Sequence, residues 1–303
     1  SQVLSSVSLL RPSSHSLRII QQCREVHCWF LFVEDVQSPS LLKAYESFLS
    51  SDERDRVYSV DSERLRKERL LTRALVRTTL ARCKINHAFA SKFSWSLKFS
   101  KNEFGKPELV GMNGLCFSLS HTSSLISCAV TTHSELGVDV EDKRRVFGSN
   151  LMRLARRWLS DKEVSWLQGF ASSSSDEQRR RFIQLWTLKE AYVKALGRGI
   201  SGAPLSNFSG VISRMDPASK RTLLPVMQAQ TISLESEESP WRWQFLLFEP
   251  SQHHYASICA QRLEGGDANS SRDFKFWRTV PLVRDEALGD DAVALAWSSL
   301  ALL

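Results

Sequence analysis

The chain has 303 residues, of which 42% are hydrophobic, so it can bury the core of one large domain or of two ordinary ones. No stretch approaches the roughly 18 to 20 consecutive apolar residues that a membrane helix needs, which argues against a membrane-spanning protein. The net charge of +7 favours acidic partners, which include nucleic acid, a polyphosphate ligand and an acidic protein.

The first 24 residues differ in composition from the rest of the chain. They contain no Asp or Glu, and serine and arginine are abundant among them. This composition resembles an organellar transit peptide, and a disordered leader is the alternative. We therefore expect a protein of the mitochondrial matrix or the plastid stroma, with the cytosol as the alternative location.

The six cysteines lie far apart, without a CxxC pair or the histidine spacing of a zinc site. We expect reduced thiols. Cys116 and Cys128 lie in alternating apolar runs, where cysteine usually belongs to the core, so a catalytic cysteine is not favoured.

Helices and strands are predicted in two successive groups. The first group has a strand at residues 26–33, a short helix at 41–49, a long arginine-rich helical region at 52–82 and a strand at 117–122. The second has strands at 125–130 and 137–141, helices at 151–159, 160–169 and 181–196, and strands at 208–212, 231–234, 241–248 and 255–260.

These groups divide the chain into a leader (1–24), an N-terminal half (25–124), a C-terminal half with a metal site (125–264) and a polar tail (265–303). Residues 285–303 of the tail are compatible with a short amphipathic helix. If the two halves are similar units, a binding site between them is expected, because ligand sites occur preferentially at such interfaces.

Two acidic patterns suggest a metal site. Valines alternate with carboxylates at 137–141, as in a half-buried strand, so Asp139 and Glu141 should point to the same face. Glu190 and Lys194 are four residues apart in a helical pattern and should share one face of that helix. Carboxylates beside an ammonium suit a hard cation such as Mg²⁺ together with substrate phosphates.

Each pattern also has an ordinary structural explanation. Asp139 and Glu141 are compatible with a solvated edge strand. Glu190 and Lys194 are compatible with a helix ion pair that contributes only a few tenths of a kcal/mol.

Two shorter motifs precede the acidic strand. Gly-Lys-Pro at 105–107 is a turn that presents Lys106 to one side. Ser120 and His121 end a strand, where they suit a phosphate oxygen, although such a pair is more often structural. They do not form a hydrolytic triad with Asp139, because adjacent strand residues point to opposite faces and no Gly-x-Ser-x-Gly elbow occurs.

Taken in order, four segments resemble one family, the surfactin-synthetase-activating (Sfp) type of 4'-phosphopantetheinyl transferase, over residues 26–260. Its signature is a Gly-[Lys/Arg]-Pro turn, a Phe-Asn-x-Ser-His strand end, a Gly-[Ile/Val]-Asp-[Ile/Val]-Glu strand and a Trp-[Ser/Thr]-x-Lys-Glu-[Ala/Ser]-x-x-Lys helix. These segments lie here at 105–107, 117–121, 137–141 and 186–194. Ser118 replaces the usual Asn, which puts a local hydrogen bond in doubt rather than the chemistry.

The resemblance implies an enzyme that moves the 4'-phosphopantetheine arm of coenzyme A to a serine of an apo acyl or peptidyl carrier protein and releases 3',5'-ADP. Mg²⁺ would be its cofactor and coenzyme A its co-substrate. The residues it assigns are Asp139, Glu141 and Glu190 to Mg²⁺; Arg56, Arg64, Lys106, Ser120, His121, Lys189 and Lys194 to coenzyme A; and Glu163 and Lys194 to catalysis.

Glu163 matches the position of the family's proposed general base, at the end of the run Arg-Trp-Leu-Ser-Asp-Lys-Glu at 157–163. The alternative is a capping-box glutamate paired with Ser160 at a helix N-terminus. The spacing supports both interpretations equally.

The resemblance further implies an α+β fold: a pseudo-dimer of two similar halves, each a helix on a small antiparallel sheet, with the active site between them. A monomer is then expected, because one chain supplies both sides of the site. The positive charge suits coenzyme A phosphates and the acidic surface of a carrier protein. Neither nucleic acid nor a membrane is expected as a partner.

Two other functions are kept as alternatives. A non-catalytic module that binds coenzyme A or a carrier protein would have retained the fold and lost the chemistry, and the intact carboxylates argue against it. A Mg²⁺-dependent nuclease would use the same carboxylates, and it would cleave DNA or RNA without coenzyme A.

Overall fold

A computed structural model describes residues 25–84, 96–111, 114–148, 150–170, 175–199, 205–213, 228–234, 243–263 and 272–288. The predicted leader at 1–24 lies outside the described residues. Among the helices that the structure describes, none has the length and apolar character needed to span a bilayer.

The described helices occur in two groups of three along the chain. Helices α1 to α6 span Pro39–Glu46, Ser51–Tyr58, Glu63–Lys84, Leu151–Trp158, Asp161–Gln168 and Ser175–Leu196, and short 3-10 helices lie at Val33–Asp35 and Leu205–Asn207. The long helical region predicted from residue 52 is thus two helices. The first begins with a capping box, in which the Ser50 hydroxyl accepts from Glu53 N and the Glu53 carboxylate accepts from Ser50 N.

The strands form two sheets and two separate hairpins. Strands β1 to β12 span Glu25–Phe32, Phe99–Lys101, Pro107–Leu109, Leu115–His121, Leu125–Thr132, Leu136–Asp142, Phe208–Ser213, Gln228–Leu234, Trp243–Ser251, His254–Gln261, Asp273–Val280 and Arg284–Ala287. The larger sheet has the order β12-β11-β1-β5-β4 and the smaller one β6-β10-β9, with hairpins β2-β3 and β7-β8. Helices with mainly antiparallel sheets confirm the α+β prediction.

The two sheets are built from the same succession of elements. In each, the first strand pairs with the last strand of its unit: β1 with β5 and β6 with β10. Between these strands, each unit has two short helices, a helix of 22 residues and a hairpin. The long helices are α3 and α6.

The core lies in two layers against β1 and in a third against α6. Trp29 and Leu31 of β1 pack with α3, whereas Cys28 and Phe30 on the opposite face pack against the smaller sheet. Helix α6 covers the outer face of that sheet. Strand β1 is therefore buried on both faces, which explains its continuous apolar sequence.

The described cysteines are free thiols, as predicted. Burial raises the pKa of Cys28 and of Cys259, because a thiolate loses its hydration in the core. These two cysteines are therefore unreactive core residues.

The structure corrects two predicted boundaries. Strand β5 was placed in the C-terminal half, but it pairs with β4 and β1, so a division at 124/125 cuts the β4-β5 hairpin. Sheet membership changes instead between Thr132 and Leu136. The turn at 122–124 joins β4 and β5 as antiparallel neighbours, so both strands belong to the larger sheet.

The predicted polar tail is in part a component of the larger sheet. Strand β11 lies parallel to β1, and β12 pairs antiparallel with β11. The chain at 285–287 is therefore strand rather than the start of an amphipathic helix, while residues 289–303 lie outside the described residues. A strand added in parallel from the far end of the chain has no local turn signal that sequence could show.

Gly137 marks the closest approach of β6 to α6. A Cβ built there would lie 1.9 Å from the carbonyl oxygen of Ala191 and 2.4 Å from the backbone nitrogen of Ala195. Because both are helix backbone atoms, no rotamer change relieves the overlap. Gly137→Ala should therefore lower the free energy of unfolding by about 1–3 kcal/mol or more, measured by urea denaturation.

Gly148→Ala is the matched control, because a Cβ there meets no described atom within 4 Å. Its effect should stay within about 0.5 kcal/mol. Equal stability of the two variants would contradict the close packing of β6 against α6.

Candidate active site

The site forms where β4 of the larger sheet meets β6 of the smaller one. Val138 N donates to Ser118 Oγ over 3.0 Å, and Val140 N donates to Ser120 Oγ over 3.2 Å. Two hydroxyls thus satisfy backbone N–H groups that a neighbouring strand would otherwise bind. Ser118 replaces the asparagine that is usual in the family that the sequence resembles, and its hydroxyl makes one of these two bonds.

A cavity of about 680 Å³ opens at this seam. Its walls come from the ends of β4 and β6, from the segment after each strand, and from α6. The polar residues that line it are Ser120, His121, Thr122, Ser123, Asp139, Glu141, Asp142, Arg144, Arg145 and Lys194.

Asp139 connects strand and helix at the centre of the site. Its Oδ1 accepts from Ser120 Oγ at 2.9 Å and from Lys194 Nζ at 2.7 Å, and Lys194 also donates to Ser120 Oγ at 2.8 Å. Val138 and Val140 pack into the core between the sheets, so Asp139 and Glu141 lie on the opposite face of β6, as predicted. Lys194 reaches Asp139 from α6.

Glu141 and Glu190 have raised pKa values in this site. Burial first, and then the charge of Asp139, raises the pKa of Glu190 to about 7. The same two causes raise the pKa of Glu141. Arg145 forms an ion pair with Glu141 and Lys194 forms one with Asp139, so two cations offset part of the repulsion.

The donor set fits a hard divalent cation. No three His, Cys, Asp or Glu side chains of the described residues already surround one metal position. However, Asp139 Oδ2 and Glu190 Oε1 are buried and have no hydrogen-bond partner among the described groups. Unpaired buried carboxylate oxygens are unfavourable, and they are the ligands that Mg²⁺ prefers.

Glu163 and Lys189 lie away from the described cavity wall and pair with each other at 2.8 Å. Lys189 is 1% exposed and also donates to the Leu205 carbonyl. Burial lowers the pKa of Lys189, which Glu163 opposes. The assignment of Lys189 to a phosphate is therefore corrected, because its ammonium is enclosed in the second half.

The structure shows the capping-box interpretation of Glu163. The Ser160 hydroxyl accepts from Glu163 N, while Ser160 N donates to Glu163 Oε2 at 2.8 Å. Glu163 is 3% exposed, pairs with Lys189 and is not among the residues that line the described cavity, so we do not retain it as the general base.

Lys106 is also held elsewhere than predicted. Its Nζ donates to the carbonyls of Ala195 at 3.0 Å and Leu136 at 3.4 Å. It thereby satisfies a carbonyl at the C-terminal end of α6, where a cation is favourable. Arg56 and Arg64 are exposed, and neither belongs to the described lining of the cavity, so their binding to coenzyme A stays a prediction.

Sequence reasoning missed two arginines of the cavity wall and a histidine that supports the turn after β4. Arg144 and Arg145 belong to a Lys-Arg-Arg run directly after the acidic strand, and this run was an available signal. His254 had no such signal. Its Nε2 lies 2.8 Å from Ser124 Oγ, and burial lowers its pKa to about 4, so a neutral imidazole holds the turn after His121.

Comparisons with known proteins agree with this geometry. Residues 135–259 match the model of the 4'-phosphopantetheinyl transferase superfamily. The chain is 32% identical over 202 residues to 4'-phosphopantetheinyl transferase HetI of Nostoc sp., covering 65% of this chain and 78% of HetI.

Two further relatives carry the same enzyme name. Identity to 4'-phosphopantetheinyl transferase gsp of Aneurinibacillus migulanus is 34% over 113 residues, which is 37% of this chain and 43% of gsp. Identity to 4'-phosphopantetheinyl transferase Sfp of Bacillus subtilis is 28% over 165 residues, which is 54% of this chain and 67% of Sfp.

Glu190 should destabilise the metal-free protein at high pH. Because its pKa is higher in the folded state, about 7 against an ordinary 4.5, the folded protein holds a proton that the unfolded chain has lost between those values. Stability therefore falls as pH rises through this window. Glu190→Gln should raise the free energy of unfolding by about 1–2 kcal/mol at pH 8 and by little below pH 4.5. The gain at pH 8 is smaller than the full pKa difference implies, because the carboxylate is partly solvated.

The measurement is urea denaturation in EDTA at both pH values. Asp176→Asn, at the exposed start of the same helix, is the control and should change stability by less than about 0.5 kcal/mol at either pH. A Glu190→Gln effect that is independent of pH would contradict the assignment.

Glu163 should stabilise the fold through Lys189. Glu163→Ala removes the carboxylate from a buried ammonium and should cost about 3–5 kcal/mol. Glu53→Ala should cost a similar amount, since Glu53 pairs at 2.8 Å with Arg77, which is 2% exposed. Urea denaturation measures both, and a Glu163→Ala protein of wild-type stability without activity would restore the general-base assignment.

Proposed function

This chain belongs to the 4'-phosphopantetheinyl transferase superfamily and is a transferase of that class, and we propose that it transfers the 4'-phosphopantetheine arm of coenzyme A to a serine of an apo acyl or peptidyl carrier protein. The activity is that of a holo-acyl-carrier-protein synthase, with 3',5'-ADP as the second product. The observation that carries this proposal is that Asp139 and Lys194 pair at the cavity wall while Glu190 lies close enough to interact with both, with one oxygen of Asp139 and one of Glu190 left unpaired among the described groups.

The reaction breaks the phosphoanhydride bond of the coenzyme A pyrophosphate and forms a phosphodiester bond to the carrier serine. The serine oxygen bonds to the phosphorus next to pantetheine, and the bond from that phosphorus to the bridging pyrophosphate oxygen breaks. The bridging oxygen leaves with 3',5'-ADP, and the serine proton passes to a base.

Mg²⁺ bound by Asp139, Glu141 and Glu190 would supply positive charge at the pyrophosphate and its leaving oxygen. Lys194, which Asp139 and Ser120 hold in place, presents its ammonium to phosphate oxygens. Arg144 and Arg145 add positive charge at the rim of the cavity. The chain's own residues therefore orient and neutralise the anionic end of coenzyme A.

The architecture that supports this function is a pseudo-dimer. The two units share their order of helices and strands, and their sheets meet at the seam between β4 and β6. One chain then supplies both walls of the cavity: Ser120 and His121 from the first unit, Asp139 and Lys194 from the second. A monomer is the expected working form.

The carrier protein is expected to be acidic around its serine. The chain carries a net charge of +7, and the side chain of Arg144 at the cavity mouth is 69% exposed. Opposite charges at such a surface speed encounter and make it sensitive to salt.

Intact-mass spectrometry tests the transfer directly. An apo acyl carrier protein incubated with this protein, coenzyme A and Mg²⁺ should gain the mass of one phosphopantetheine arm, and EDTA should prevent the gain. Asp139→Asn and Glu190→Gln should slow transfer at least about 100-fold while the protein remains folded, because the charge at the leaving oxygen is no longer offset.

Glu135→Gln is the matched control, since Glu135 is an exposed carboxylate outside the described cavity lining, and it should retain transfer. Absence of any mass gain across several carriers, from folded protein that still binds coenzyme A, would favour a non-catalytic binding module. Full activity of Asp139→Asn would show that the metal site is misplaced.

A further inference from the structure

His121 and Ser120 leave the end of β4 in opposite directions, although both line the cavity. Ser120 turns to β6 and Asp139, as described above. His121 turns to the long helix α3, where its Nδ1 lies 2.7 Å from Glu68 Oε1. The alternation of a strand requires this divergence.

Glu68 is a nearly buried carboxylate on a firmly packed helix. Its side chain is 10% exposed, whereas that of His121 is 53% exposed. Leu71 and Leu75 lie on the two turns of α3 that follow Glu68, and both belong to the core behind β1. A carboxylate in such a place requires a hydrogen-bond donor, and the imidazole N–H is one.

We propose that Glu68 is a positioning residue for coenzyme A binding: it accepts the Nδ1–H of His121 and thereby turns Nε2 of the ring towards the cavity, where Nε2–H binds a phosphate oxygen. This inference rests on the proposed function. Carboxylates fix the orientation of functional histidines in this way in other sites.

The chemistry of the two partners is consistent with this role. Glu68 and a phosphate both accept hydrogen bonds, so an imidazole between them carries a proton on each nitrogen. Glu68 lies on the side of His121 away from Ser120 and Asp139, and it acts on the phosphate only through the ring. In the sequence, Glu68 stands among arginines and lysines that resemble a solvated helix face.

A double-mutant cycle tests the inference. Glu68→Ala and His121→Ala should each raise the KM and the Kd for coenzyme A roughly tenfold, as expected for a lost charge-assisted hydrogen bond, with kcat changed by less than about threefold. The double variant should be no worse than His121→Ala alone, because Glu68 acts through His121. Glu63→Ala, at the exposed first turn of the same helix, should bind coenzyme A like the wild type.

Two further readouts separate positioning from a general effect on the fold. Glu68→Gln should restore most of the affinity, since its amide oxygen still accepts the Nδ1–H. In ¹⁵N spectra of the wild-type complex with coenzyme A, both His121 nitrogens should carry protons. In the complex of Glu68→Ala, this pattern should be lost.

Additive losses in the double variant would overturn the inference, and so would an unchanged Kd in folded Glu68→Ala protein. The Kd for coenzyme A is measured by calorimetry without a carrier protein. A wild-type protein that binds coenzyme A but transfers nothing would therefore refute the proposed function while still testing Glu68.

Discussion

The bond between β6 and the serine hydroxyls of β4 is the constraint on which the rest of the structure depends. The N–H groups of Val138 and Val140 are buried at the edge of the smaller sheet and require acceptors. Ser118 and Ser120 supply these acceptors through side chains, which join the sheets without a continuous backbone ladder. The cavity lies at the end of this seam, with Asp139 at its wall.

The carboxylates of the site lower the stability of the fold, and the same carboxylates are suited to binding a cation. Burial and the charge of Asp139 raise the pKa of Glu141 and of Glu190, so the ionised form of these two carboxylates is unfavourable without a cation. Lys194 and Arg145 offset part of this repulsion. The close contact of Gly137 with α6 keeps helix and strand together, so the carboxylates cannot separate to relieve it. Coenzyme A phosphates and a divalent cation would complete this charge balance.

The same pair of interactions holds the long helix in each of the two units. In each, a capping-box glutamate pairs with a buried cation on the long helix: Glu53 with Arg77, and Glu163 with Lys189. This correspondence explains why the sequence supported two interpretations of Glu163 equally. The motif matches a catalytic pattern, yet its first-unit counterpart Glu53 occupies the equivalent structural position. The burial of Glu163 and its ion pair with Lys189, 26 residues later, decide between the two interpretations, and the sequence shows neither.

Local periodicity in the sequence was sufficient to identify the centre of the site. Strand alternation placed Asp139 beside Glu141, helical spacing placed Glu190 beside Lys194, and the order of four motifs indicated the family, because each of these patterns spans only a few residues. Tertiary structure alone decided that Lys106 caps α6, that Glu68 holds His121, and that β11 joins β1. These contacts join residues far apart in the chain, and their partners depend on how whole helices and sheets pack, which no local pattern encodes.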